Sequence, residues 1–249
     1  MSSYRYNLSA NLSIVRNQSF SLELIKNAIL KFNDTIKKIF DADIDISVLL
    51  GMRNLSSFVG EVFAASIISC SNKKFKKCPH QDGYPDLLLM DEVGQKLFDD
   101  LTGRHREKEP FSPFKGGGIE IKATVGSVPT PQFFARLEQE KPDIGDQRIA
   151  YLKSYDWKAH HRDTNYLMGI IWDFIDKKPT VCAIFYQSKL QMEHWGRIIS
   201  PREGGGRTTS VSIMTREGVA LMYQNWVAVI DEPEYIKFFN KYNSGTLIK

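Results

Sequence analysis

Ile119-Glu120-Ile121-Lys122-Ala123-Thr124 alternates apolar and polar residues with a period of two, the pattern of a strand with one face in a core. In a strand, residues i and i+2 point to the same side. Glu120 and Lys122 are therefore expected to project together while Ile119, Ile121 and Ala123 turn inward. Gly116-Gly117-Gly118 comes just before and marks a flexible approach to the strand. Upstream, Tyr84-Pro85-Asp86-Leu87-Leu88-Leu89-Met90 is a short apolar run that opens with a Pro-Asp pair and reads as a second strand. Pairing of the two strands would bring Asp86 towards Glu120. The segment between them, 91–115, is polar and rich in both charges, and is expected to run over the surface as a long loop.

Moving outward, Leu22, Ile25, Ile29, Phe32, Ile36 and Ile39 form a helical stripe that predicts a helix over Leu22–Phe40, capped by Ser21. Leu55, Phe58, Val59, Val62, Phe63 and Ile67 predict a second helix over about 55–69, with Glu61 at the flank of its apolar face. The lysines at 73, 74, 76 and 77 read as a solvated loop, with phosphate contact as the alternative. LMGIIWDF (167–174) and TVCAIFY (180–186) read as two strands joined by a hairpin loop over 175–179. Further strands are expected at 211–214 and 226–230, and helices at 217–225 and 234–242. This order predicts a single α/β domain over 1–249, with a mixed central sheet flanked by helices.

With 42% apolar and 25% charged residues, the composition is that of a soluble globular protein. No run of 18 apolar residues suggests a membrane span, and Met1-Ser2-Ser3-Tyr4-Arg5 lacks a signal-peptide core, so a cytoplasmic protein is expected. Cys70, Cys78 and Cys182 are too few for a disulfide framework. Cys70, Cys78 and His80 lack the paired spacing of a zinc site. A net charge of +4 permits a polyanionic partner without requiring one. No Walker-type glycine loop precedes a Lys-Ser/Thr pair, so nucleotide hydrolysis is not indicated.

Hydrolysing a phosphodiester requires an oriented water, neutralised phosphoryl charge and a stabilised leaving oxygen. Magnesium held by two or three carboxylates beside the phosphate can meet all three needs. Asp86, Glu120 and Lys122 supply two such carboxylates and an ammonium group; the plainer alternatives are a turn acid and a solvated strand face. Pro85-Asp86…Glu120-Ile121-Lys122, with apolar flanks on two strands, resembles the PD-(D/E)-x-K nuclease superfamily, to which most type II restriction endonucleases belong. The resemblance covers about residues 55–190 and implies a restriction-endonuclease-like core. It implies Asp86 and Glu120 as ligands of Mg2+, the carbonyl of Ile121 as a further ligand, and Lys122 against the phosphate or the water. Glu61 would be an outer ligand or hydrogen-bond partner. It further implies double-stranded DNA as substrate, 5′-phosphate ends, a homodimer, and a cognate DNA methyltransferase as genetic partner. A repair or junction-resolving nuclease, or a non-catalytic DNA-binding module on the same fold, are the alternatives.

Base reading calls for arginine in the major groove. Arg104 and Arg106, with Lys115 further on, lie in the loop between the motif strands. Gly204-Gly205-Gly206-Arg207-Thr208-Thr209-Ser210 is a glycine-hinged turn with one arginine and three hydroxyls. The second is favoured, so 191–249 is expected to contribute to recognition. His160 and His161 are expected to contact phosphate or to be structural, since nothing completes a His–Asp general-base site around them.

Overall fold

The computed structural model describes residues 3–42, 44–160, 162–201 and 210–242. In chain order the elements are β1 (Tyr4–Tyr6), α1 (Leu22–Phe40), α2 (Ile46–Cys70), β2 (Phe75–Lys77), β3 (Leu87–Leu89), α3 (Glu92–Asp100), β4 (Gly118–Thr124) and α4 (Pro131–Arg136). They continue with β5 (Lys158–Ala159), β6 (Leu167–Ile175), β7 (Lys178–Gln187), β8 (Ser212–Ile213), α5 (Arg216–Gln224), β9 (Trp226–Ile230) and α6 (Pro233–Tyr242). Seven strands form one mixed sheet in the order β1-β9-β7-β6-β4-β3-β2. Within it β4 and β6 run parallel and the other neighbours are antiparallel. β5 and β8 form a separate two-stranded ribbon.

α1 forms where its stripe predicts, and the Ser21 hydroxyl accepts from the Leu24 amide at 3.1 Å. α2 starts nine residues before the expected Leu55, and its first turns are set off by Gly51, whose φ of 67° breaks the helix. Leu24, Ile25, Phe32, Leu55, Val59 and Phe63 bury against one face of the sheet, where they meet Ile119, Ile121, Met168, Ile170 and Trp172. Leu167, Ile171 and Phe185 point to the other face and pack with Trp157, Trp195, Tyr223 of α5 and Phe239 of α6. Successive residues of β6 thus enter opposite cores, which is why its sequence is apolar throughout rather than alternating. The β6–β7 turn is tighter than expected. Only Asp176 and Lys177 lie between the strands, both with positive φ, as a two-residue primed turn requires.

Three differences from the sequence reading concern the region of the motif. The strand expected over 84–90 is only β3, because Pro85 has no amide to offer a ladder and the Tyr84 amide bonds instead to the Phe111 carbonyl. The 91–115 excursion is not a bare surface loop. It contains α3, capped by Asp91, and its Phe98, Phe111 and Phe114 form a small core with Leu88 and Cys78. The lysine run is partly a strand, since β2 buries Phe75 while Lys76 and Lys77 face solvent.

Candidate active site

β3 and β4 pair only at Leu87↔Ile119 and Leu88↔Gly118. Beyond Ile119, β4 keeps β6 on one side and, among the described residues, has no strand on the other. Asp86 stands at this divergence and replaces the missing ladder with its side chain. Its Oδ2 accepts from the Ile121 amide at 2.8 Å, and its own amide donates to Glu120 Oε2 at 3.2 Å. Lys122 Nζ lies 2.5 Å from Glu120 Oε1 and 3.8 Å from Asp86 Oδ2. The two acids and the lysine expected to meet therefore share one cluster.

Their environments differ. Glu120 is 4% exposed, so the strand is covered on both faces at this point and not half-solvated as its alternation predicts. The Asp86 side chain keeps 34% of its surface and Lys122 24%. Burial, and then the negative charge of Glu120, push the Asp86 carboxyl up to about 7, against the opposing pull of Lys122 and the Ile121 amide. For Lys122, burial disfavours the charge, but Glu120 and Asp86 outweigh it and hold the ammonium above its ordinary range. Lys122 is thus a fixed cation and a hydrogen-bond donor.

A cavity of about 500 Å³ opens at this edge. Asp86, Ile121 and Lys122 form part of its wall; Glu61 of α2, Lys77 of β2, His80, Lys158 of β5 and His160 also line it. The donor set fits magnesium. Two carboxylates come together, each with one oxygen held by a main-chain amide, and a cation would relieve the charge crowding that raises Asp86. Magnesium needs only one or two carboxylates and retains several waters. The Glu120 amide bonds to the carbonyl of Tyr166, just before β6, so by ladder alternation Ile121 turns its amide and carbonyl the other way, towards Asp86. Among the described residues no three His, Cys, Asp or Glu side chains gather around one point, which fits neither zinc nor a closed cage. Cys78 is buried, with its thiol pushed up to about 11 mainly by that burial, and all three cysteines are free.

Glu61 reaches the same cavity but does not touch the pair, because its carboxylate is bound by Lys77 at 2.5 Å. Of the residues expected to contact DNA, His160 lines the cavity, and its Nδ1 lies 3.1 Å from the Ser210 carbonyl. Arg104, Arg106 and Lys115 do not line it, and the Arg104 guanidinium is engaged by Glu107 at 2.6 Å and Glu109 at 3.6 Å. His161, Arg207, Thr208 and Thr209 lie outside the described residues. Lys77, His80 and Lys158 were not singled out by the sequence as site residues. Lys77 had a signal in the basic run, but its nearness to Asp86 follows from the β2–β3 pairing, in which Lys77 stands opposite Leu87 and the Cys78 amide bonds the Asp86 carbonyl.

No family model matches the chain, nor does any curated protein or any solved structure.

Proposed function

We propose that this chain is a magnesium-dependent endonuclease acting on double-stranded DNA, of the type II restriction kind. The observation that carries the reading is the meeting of Asp86, Glu120 and Lys122 at an open sheet edge, with Asp86 and Lys122 on the wall of a cavity. Asp86 and Glu120, with the Ile121 carbonyl, would hold the ion. Magnesium bound there supplies Lewis acidity towards the phosphate and a more acidic water.

The chain's own groups do the rest. Lys122, held 2.5 Å from Glu120, is placed to donate to a phosphate oxygen or to orient the attacking water. Asp86 is steadied by the Ile121 amide, and Glu120 by the Asp86 amide, so the ligands are placed before substrate arrives. Lys158 and His160, in the same cavity, offer donors to the phosphate backbone. The ribbon places Ser210 beside His160, which supports assigning base reading to the C-terminal part. A homodimer and 5′-phosphate ends belong to this proposal.

Incubation with a large plasmid tests it. Discrete fragments that require magnesium are expected. Nicking only at branched or damaged structures would make the chain a repair nuclease, and binding without cleavage would make it a non-catalytic DNA-binding module.

A further inference from the structure

Glu61 and Asp86 line the cavity with Lys77, Lys122 and Lys158, and the buried Glu120 adds a third carboxylate through its pairing with Lys122 at 2.5 Å. Lys122 is the counterion of Asp86 and Glu120, and Lys77 that of Glu61. The site is therefore balanced as it stands. A dication alone leaves an excess of positive charge, and a phosphate alone leaves an excess of negative charge. With both bound, the charges of the dication and the phosphate offset one another, so each should favour the other.

The Glu61–Lys77 pair is the part free to respond. Its side chains are 58% and 64% exposed, whereas those of Glu120 and Lys122 are 5% and 24% exposed. Exposed pairs of this kind contribute little stability, and a phosphate offers lysine a charge-assisted bond of the same kind, so exchanging one for the other costs little. Glu61 lines the same cavity as Asp86 and Lys122.

Building on the nuclease reading, we propose that Lys77 is an exchange residue. It occupies Glu61 until a DNA phosphate draws it away, and Glu61 then turns to the cation, so that cation and DNA bind cooperatively. Lys77 thereby becomes a phosphate contact and Glu61 a ligand that is conditional on substrate.

Calcium in place of magnesium allows binding to be measured on the full chain without cutting. Affinity for fragmented duplex DNA is measured with calcium and with chelator, and calcium affinity is measured by calorimetry without DNA. In the wild-type chain calcium should raise DNA affinity about 10-fold, within the usual span of coupling between two sites. Lys77→Ala should reduce that gain to about twofold or less, and should bind calcium more tightly than wild type without DNA, because Glu61 is already free. Lys158→Ala removes the same charge from the same cavity; it should weaken DNA binding but keep the gain. An unchanged gain in Lys77→Ala, or an equal loss in Lys158→Ala, overturns the exchange and leaves the nuclease reading standing. If wild type binds no calcium in either state and Asp86→Asn behaves like it, both the exchange and the nuclease reading fall.

Discussion

The main-chain amide of Asp86 donates to Oε2 of Glu120 at 3.2 Å, so one acid of the site is hydrogen-bonded to the backbone that carries the other. The Ile121 amide returns the bond to Asp86 Oδ2 at 2.8 Å. The two carboxylates are thus held together by main-chain groups, at a cost set first by burial and then by the Glu120 charge, which together raise the Asp86 carboxyl.

That cost predicts a pH dependence. Asp86 titrates near 7 in the folded chain against an ordinary 3.8. The folded state holds the proton more tightly, so this group's contribution to stability falls as pH rises from about 4 through 7. In chelator, Asp86→Asn should therefore melt higher than wild type at pH 8, by about 2–4 °C for each kcal/mol relieved, and close to wild type at pH 4. Equal differences at both pH values, or a lower melting temperature at pH 8, would contradict the crowding.

Glu120 tests the cluster from its buried side. Glu120→Ala leaves the Asp86 amide without its acceptor and Lys122 with only the more distant Asp86. It should lose about 1–3 kcal/mol in urea unfolding. Glu120→Gln keeps an acceptor and should retain most of the stability while losing cleavage. Equal stability of the two variants would mean that the bond to Asp86 contributes nothing.

Gly169 stands beside Lys122 in the β4–β6 register, and a Cβ there would come within 2.5 Å of the Trp157 ring. Trp157 is 1% exposed and wedged against Tyr155 and Phe185, so it has little room to move. Gly169→Ala should cost about 1–3 kcal/mol by overpacking. A change within about 0.5 kcal/mol would show that the indole yields freely.

Elements whose pattern is decided locally were legible in the sequence. α1 has its stripe and its Ser21 cap, and β9 and the β6–β7 pair are apolar runs bounded by turn residues. The meeting of Asp86 with Glu120 and Lys122 was legible because period two fixes the faces of β4. Pairings between distant segments were not. β1 is three residues long and joins the sheet only through β9, more than 200 positions away, so nothing local marks it. α3 was hidden because its stripe is short and its exposed face is charged. The burial of Glu120 was missed because alternation tells which residues share a face, not what covers that face.

Base discrimination offers a fourth prediction. With Arg104 held by Glu107, base reading falls to the glycine-hinged sequence 204–210, so Arg207→Ala should increase cleavage at near-match sites relative to the preferred one. Fragment mapping on a long DNA reads this ratio. An unchanged ratio would move base reading to other side chains, Arg106 first.

The central claim is that Lys122 serves chemistry and not binding. The direct measurement compares wild type with Lys122→Ala on the same long duplex, with cleavage followed in magnesium and binding in calcium. The expected result is a loss of cleavage of about a hundredfold or more with binding largely kept. Cleavage by Lys122→Ala at the wild-type rate, or no magnesium-dependent cleavage by wild type, would contradict the account.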